Sequence, residues 1–129
     1  MISHFNLPDH VILPRKTKAD KKVMLNMNVY RNLHHSVESQ CKKAFQPVRH
    51  LCSPFTADKI RISYEVHKKA RRRFDVMNVV SVVDKYFCDW LQAEGYIVDD
   101  DNETVSYGSI VGFKGAESDY IYAIVEILE

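Results

Sequence analysis

Residues 71–90, RRRFDVMNVVSVVDKYFCDW, place three arginines directly before an aspartate and then continue with helical periodicity. At 100° per residue from Asp75, the apolar side chains occupy an arc of about 20° to 160°. They are Val76, Val79, Val80, Val83, Tyr86, Phe87, Trp90 and Leu91. Asn78, Lys85 and Asp89 fall on the other side, at about 280° to 320°. We therefore predict an amphipathic helix that starts at Asp75 and buries one face.

Asp84 is the exception to this pattern. It falls at about 180°, on the border of the apolar face, where a carboxylate must find a partner or stay near water. Such a local inconsistency is typical of functional sites. A structural alternative is a boundary carboxylate that bends out to solvent or caps a neighbouring loop.

The segments around this helix alternate between strand and helix patterns. Alternating or short apolar runs predict strands, and an apolar residue at every fourth position predicts a helix. The strand segments are 10–13 and 23–28, which we expect to form a hairpin, then 59–68, 104–114 and 120–128; the other helix covers 29–45. We predict an α+β fold: one domain spanning 1–129, with a small mixed β-sheet of about four to five strands packed against two main helices.

The composition excludes several classes of protein. The 129 residues, 46% of them apolar, suffice for one core. The longest apolar run is far below the roughly 20 residues of a membrane helix, and the first residues lack a signal-peptide profile. Three cysteines without C-x-x-C spacing argue against a disulfide framework or a zinc cage. We expect a soluble, cytoplasmic protein without a membrane partner or a small-molecule cofactor.

The two parts of the chain carry opposite net charges. Residues 1–73 hold sixteen Lys/Arg and five Asp/Glu, whereas residues 74–129 hold two and twelve. Two basic runs carry most of the positive charge: Arg15, Lys16, Lys18, Lys21 and Lys22 in the first, and Lys68, Lys69, Arg71, Arg72 and Arg73 in the second. Two such runs favour a surface that follows phosphates, although each alone is compatible with a solvated loop. Because no aromatic residue interleaves them, base stacking is not expected there.

The acidic half is densest at 96–104, YIVDDDNET. The adjacent carboxylates of Asp99, Asp100 and Asp101 repel one another unless a cation lies between them. Mg²⁺ prefers oxygen ligands, often one or two carboxylates together with water or phosphate. A solvated acidic turn is the alternative. If Asp75 converges with this turn, the site has the carboxylates and basic surroundings used for metal-dependent phosphodiester hydrolysis.

The order RRRFDVMN … DKYFCDWLQAEGYIVDDD resembles the RusA-type Holliday-junction resolvases, endonucleases of phages and prophages. Their signature is a basic run, Asp-x-Asp-Asn at the start of a helix, a lysine within it, and then Gly-x-x-x-Asp-Asp. The resemblance is clearest over 68–105 and looser over 21–45. It implies a homodimer that cuts four-way DNA junctions by paired nicks with Mg²⁺ or Mn²⁺, in the cytoplasm of a bacterial host if a phage encodes it.

The resemblance also implies roles for individual residues. Asp75 matches the first catalytic aspartate, Asn78 the supporting asparagine, and Asp99 and Asp100 the paired acids after Gly95. Asp100 is the catalytic member of that pair. Asp75, Asp99 and Asp100 would hold the metal, and the two basic runs would hold the DNA backbone.

This sequence departs from the family pattern at the second aspartate, where Met77 stands. The segment after the asparagine is also longer, by about four residues or one helical turn. With one placement of this turn, Lys85 is the catalytic lysine and Ser81 lies at the position of the missing aspartate. With the other, Ser81 replaces the lysine and the Asp84-Lys85 pair supplies a carboxylate and a cation. We expect Asp84 or Asp99 to compensate; otherwise the chain binds branched DNA without cutting it.

Overall fold

The computed structural model of the chain describes residues 2–13, 17–45 and 57–128. Six strands and two helices follow one another along these residues. In order they are β1 (Ile2–Leu7), β2 (His10–Leu13), β3 (Lys21–Met24), α1 (Met27–Phe45), β4 (Ile60–Lys68), α2 (Val76–Ala93), β5 (Val105–Lys114) and β6 (Tyr120–Ile127). None of the helices in these ranges is long and apolar enough to cross a lipid bilayer.

Four of the strands form a mixed sheet in the order β1-β6-β4-β5. β4 pairs with β5 in parallel and with β6 antiparallel, and β1 pairs antiparallel with β6. β2 and β3 form the predicted hairpin as a separate two-stranded sheet. Its second strand was predicted at 23–28 but covers Lys21–Met24, because the chain already turns into α1 at Met27. The predicted α+β fold, a small mixed sheet with two helices, is confirmed.

The strand β1 was not predicted from the sequence. Its side chains alternate, with Phe5 and Leu7 buried and His4 and Asn6 exposed. It pairs with β6, more than 110 residues later in the chain. The local pattern is short, and the partner that makes it a strand is distant, so local reasoning does not find it.

One face of the sheet forms the core. Ile60, Ile62, Tyr64 and Val66 of β4 are completely buried on the side of the helices. α2 buries the predicted apolar stripe against this face, which confirms the amphipathic helix. The opposite face of β4 carries polar side chains, and none of the described elements packs across it. This second face remains open, and we call it the open face.

The connection through α2 fixes which groups meet at each end of the sheet. Because α2 joins two parallel strands, it runs back along the sheet, and its first turn lies near the carboxyl ends of β4 and β5. The chain between β5 and β6 crosses this same end. Its Gly115 N–H donates to the Ala70 carbonyl and its Ala116 N–H to the Lys68 carbonyl, both at 3.0 Å.

Candidate nucleic-acid interface

A cleft of about 840 Å³ lies at the carboxyl end of β4, beside the first turn of α2. We call it the basic cleft. Its polar and charged lining includes Lys68, Lys69, Arg72, Arg73, Asp75, Asn78 and Asp119. The fold thus gathers most of the second basic run, the predicted Asp75 and its supporting asparagine around one concave surface.

The charged side chains of the second basic run are unpaired in the part of the chain that the structure describes. The side chains of Lys68, Lys69 and Arg71–Arg73 form no ion pair and no hydrogen bond with the described residues. The unsatisfied N–H groups at the start of α2 add partial positive charge to the same region. The basic cleft is therefore electrostatically suited to an anion such as phosphate.

Phe74 holds the arginine loop in place. Its half-buried ring packs on β5 at Gly112, where a Cβ atom would lie only 2.8 Å from the ring. Any side chain at this position would displace Phe74. Gly112 thus permits the close approach that fixes the loop just before Asp75.

Asp75 caps the helix. Its backbone is extended, and its Oδ1 accepts a hydrogen bond from the Met77 N–H at 3.1 Å. This contact satisfies one of the free N–H groups of the first turn. The side chain is exposed at the cleft, and Oδ2 has no partner among the described residues. One carboxylate oxygen thus supports the helix, and the other faces the cleft.

Asn78 has a structural contact as well as a place at the cleft. Its Oδ1 accepts a hydrogen bond from the Met27 N–H at 3.1 Å, which ties the first residue of α1 to the first turn of α2. The side-chain carbonyl oxygen of Asn78 is therefore engaged by the backbone of α1. The amide –NH₂ remains as a donor at the cleft.

Asp119 was missed in the sequence analysis. It lines the basic cleft from the β5–β6 connection, and its Oδ1 accepts a hydrogen bond from the Lys69 N–H at 2.6 Å. In the sequence it is one acidic residue in a short polar loop, without a motif. The crossing of this loop over the end of β4 is what brings it beside the second basic run.

Asp84 lies in a cluster of donors between α2 and the sheet. Tyr64 donates a hydrogen bond to its Oδ1, Tyr107 donates to its Oδ2 at 2.5 Å, and the Cys88 thiol donates to its Oδ1 at 3.4 Å. We call these four residues the tyrosine cluster. Both oxygens of the carboxylate are engaged, which explains how a charged group is accommodated at the border of the apolar face.

The tyrosine cluster strongly favours the neutral form of its donors. Burial raises the pKa of Tyr64 well above 10.0, and the charge of Asp84 raises it further. The pKa of Tyr107 and the pKa of Cys88 are raised by burial first, and also by Asp84. All three donors therefore keep their protons at neutral pH and hold the Asp84 carboxylate in place.

The other candidate residues of α2 lie away from the cleft. The Lys85 ammonium is 3.9 Å from Asp89 Oδ2, one turn later, and 4.9 Å from the centre of the Tyr86 ring. The Ser81 hydroxyl donates to the Met77 carbonyl at 2.6 Å. The Met77 side chain is exposed. Neither Lys85 nor Ser81 lines the basic cleft, so neither joins Asp75 there.

The acidic turn is organised by its own backbone. Asp101 Oδ1 accepts hydrogen bonds from the Glu103 N–H at 3.1 Å and the Thr104 N–H at 2.9 Å. Backbone donation from Thr104 is the main cause of a lowered pKa for Asp101. The Asp100 N–H donates to Asp99 Oδ1 at 2.8 Å. These bonds are those of a solvated Asx-type turn.

The acidic turn does not converge with Asp75. The Ile60 N–H donates to the Thr104 carbonyl at 2.8 Å, which places the turn at the amino end of β4. β4 has nine residues, and a strand of this length spans about 26 Å. Asp75 lies beyond its other end. Asp99 and Asp100 therefore share no ion with Asp75 in this fold; the charge of Asp100 instead makes a small contribution to the raised pKa of Cys88.

Part of the first basic run lies within the described residues. Arg15 and Lys16 lie outside the described residues. Lys18, Lys21 and Lys22 are exposed. Lys22 lies two residues before Met24, which lines the cleft, so the hairpin brings this run towards the same surface.

The residues within 2–13, 17–45 and 57–128 contain no group of three His, Cys, Asp or Glu placed to hold a metal ion. Comparison with known proteins adds nothing further, since no family model and no curated protein matches the chain. The geometry of the basic cleft and the resemblance at 68–105 are therefore the two arguments for a function.

Proposed function

We propose that this protein is a Mg²⁺-dependent, structure-specific DNA endonuclease that resolves four-way junctions by paired nicks. The observation that carries the proposal is the basic cleft, in which unpaired cations surround an exposed aspartate at the start of a helix. The resemblance of this same segment to the RusA-type resolvases supports it independently.

The cations of the cleft would hold the DNA backbone. Lys68, Lys69, Arg72 and Arg73 line it, and their charged groups form no ion pair with any residue in the described ranges. Contacts of this type position a duplex by its phosphates and read no sequence. Selectivity for junctions would then follow from the shape and spacing of the basic surfaces. Charge that develops on the phosphoryl oxygens during cutting would be stabilised by the same side chains.

The carboxylates of the cleft fit a divalent ion that is completed by substrate. Asp75 has one oxygen without a partner, and Asp119 contributes a second carboxylate to the same cleft. Mg²⁺ is usually bound by one or two carboxylates plus substrate phosphates, so a preformed group of three ligands is not required. When bound, such an ion activates water and stabilises the leaving oxygen. Mn²⁺ fits the same oxygen ligands.

The other predicted catalytic residues receive different roles in this proposal. Asp84 has both oxygens engaged, so it would position β5 against α2 and not bind the ion. Asp99 and Asp100 shape the turn at the other end of β4. Lys85 would contribute to the helix surface through Asp89.

A homodimer would provide one cleft for each nicked strand. Two copies related by a two-fold axis match the approximate two-fold symmetry of a four-way junction. Sedimentation of the protein with and without junction DNA measures this directly. A strictly monomeric complex that still makes paired nicks would contradict the dimer.

The function is tested with a labelled four-way junction, a linear duplex and a flap, each with Mg²⁺ and with EDTA. We expect paired nicks in the junction only, and only with Mg²⁺. Equal cutting of the linear duplex would refute structure selectivity. Asp119→Asn should reduce cutting and leave binding intact, whereas Asp99→Asn, a substitution at the distant turn, should leave both unchanged.

A second candidate is a protein that binds branched DNA without cutting it. It is favoured by Met77, which stands at the position of an expected ligand, and by the absence of a three-ligand group in the described ranges. Such a protein would bind the junction with a steep salt dependence, because binding releases counterions from the phosphates. Binding without any nick in Mg²⁺ or Mn²⁺ would decide for this candidate.

A further inference from the structure

The edge strand β5 is the longest strand within the described ranges, and none of the described elements pairs with its outer side. An edge strand presents backbone N–H and C=O groups that are free to pair with another strand. Proteins commonly protect such an edge with charged residues or proline. Between Val105 and Phe113 the strand contains neither. β5 is therefore an edge that can accept a further strand.

One irregularity lies near the middle of β5. Gly108 and Ser109 both lie opposite Ser63, so the register with β4 shifts there. A bulge of this kind bends a strand locally and is itself one way of protecting an edge. The pairing with β4 is regular on both sides of the bulge. Each half of β5 thus keeps the geometry that a further strand needs.

Apolar side chains are exposed along β5 on both sides of the sheet. Tyr107 is 47% exposed, Val111 41% and Phe113 42%. Tyr107 lies on the helix side, where it donates to Asp84, whereas Val111 and Phe113 lie on the open face. A strand added beside β5 would place side chains next to each of them. The apolar area removed from water in this way favours association.

The two ends of β5 carry opposite charges. Glu103 lies two residues before the strand and is exposed, and the exposed Lys114 is its last residue. Neither side chain forms an ion pair with the described residues. The stem of Arg71 lies 3.8 Å from the Cβ position of Gly115, which adds a second cation at the carboxyl end. Both ends therefore have charge that is left uncompensated within the described residues.

A second copy of the chain is the occupant that this charge distribution fits. If two β5 strands pair antiparallel about a two-fold axis, the beginning of each strand lies beside the end of the other. Glu103 of one copy then lies near Lys114 of the partner subunit. The same contact occurs twice, because a two-fold interface is isologous. A parallel arrangement would instead place like charges together at both ends.

We propose that two copies of the chain associate through β5, which joins their four-stranded sheets into one continuous sheet with Glu103 and Lys114 paired at both ends of the seam. The basic clefts would lie at opposite ends of the joined sheet. This interface would serve the homodimer of the proposed nuclease, and in this respect it rests on the proposed function. The association itself requires neither DNA nor a metal ion.

The interface is tested by exchange of the two charges, in EDTA and without DNA. Sedimentation equilibrium gives the dissociation constant of the dimer for the wild type, Lys114→Glu, Glu103→Lys and the double variant. Each single substitution should raise this constant at least about tenfold, because it sets like charges together at both contacts. The double variant should recover most of the lost affinity, since it restores opposite charges in exchanged positions.

A matched control lies on the open face. Glu126 of β6 is a partly exposed glutamate whose strand is separated from β5 by β4. Glu126→Lys should leave the dimer constant unchanged. If Glu126→Lys weakens the dimer and the two single β5 variants do not, the open face is the interface and the proposal is wrong. Recovery in the double variant separates lost pairing from lost folding, because a second charge reversal does not repair a misfolded chain.

An extended segment of another protein is the competing occupant of the β5 edge. A wild-type chain that stays monomeric at every concentration would overturn the proposal and favour such a partner. A dimer that neither single variant weakens, with normal paired nicks, would place the interface elsewhere and leave the nuclease proposal standing. Failure of the nuclease proposal gives a different result: no nick in any substrate, with the dimer and the effect of charge exchange still present.

Discussion

Asp75 and Asp84 are carboxylates of the same helix segment, nine positions apart, yet their surroundings are opposite. Asp75 is exposed, makes one hydrogen bond to the helix backbone and leaves one oxygen at a cationic cleft. Asp84 is half-buried and accepts from Tyr64, Tyr107 and Cys88. The sheet causes this difference. Its tyrosine hydroxyls donate to Asp84, whereas Asp75 lies at the basic cleft beyond the end of β4. A carboxylate with free lone pairs can take a ligand, whereas a saturated one supports the fold.

The largest effect is expected at Asp75. Asp75→Asn should lower cutting of the four-way junction at least about 100-fold, the low end for removal of one charge-stabilising group. The free energy of unfolding should change little, because asparagine caps a helix about as well as aspartate. Single-turnover cutting and urea unfolding measure the two quantities.

An Asp75→Asn variant that cuts normally would show that Asp75 takes no part in the cutting reaction. Asp89→Asn is the matched control, since Asp89 is an exposed carboxylate of the same helix outside the basic cleft. It should leave cutting unchanged.

Asp84 should behave in the opposite way. Asp84→Asn should lower the free energy of unfolding by about 1–3 kcal/mol, because it removes the charge and sets an amide donor against a hydroxyl donor. Cutting per folded molecule should be retained. Urea unfolding, combined with activity at a temperature where the variant is folded, tests both parts. A stable but inactive Asp84→Asn variant would show that Asp84 has a catalytic role, and it would contradict the difference proposed between Asp84 and Asp75.

The tyrosine cluster should also make stability depend on alkaline pH. The pKa values of Tyr64, Tyr107 and Cys88 are raised in the folded state, so the unfolded state loses these protons first as pH rises. Their contribution to stability is complete below about pH 9 and is lost progressively above it. Urea unfolding between pH 7 and 10.5 measures the decline.

Tyr107→Phe should make this decline less steep, since it removes one of the three groups. Tyr122→Phe, on the open face, should leave the decline as it is in the wild type. A decline that is identical in all three proteins would show that the cluster does not control it.

The smallest effect is expected at Lys85. Lys85→Gln removes an exposed ion pair with Asp89, and such pairs in helices contribute about 0.3–0.5 kcal/mol. Cutting should change less than twofold because Lys85 does not line the cleft. A loss of cutting above tenfold with normal binding would instead support the catalytic lysine that the RusA resemblance implies.

Local patterns were sufficient for every element except β1, but not for the sites. The apolar stripe of α2 and the alternation of β4 are periodic over many residues, so the sequence alone predicts both. Asp119 lies in an unremarkable loop, and nothing local connects it with the second basic run. The sequence also placed Asp75 and the acidic turn in one site, because proximity along a motif does not reveal that a nine-residue strand separates them.

The stacked rings of His67, Phe113 and Tyr120 show the same limit of local patterns. No aromatic residue interleaves the basic runs, so the sequence argued against stacking near them. Yet His67, Phe113 and Tyr120 come together at the end of β4 because three strands align there in register.

The sequence by itself determined the α+β class, the amphipathic α2 and the charge division between the two halves of the chain. Each follows from periodicity or composition, which act over neighbouring residues. Tertiary structure alone decided which carboxylate is free and which is saturated. The donors to Asp84 and the cations around Asp75 come from separate strands and loops, and long-range pairing sets their positions.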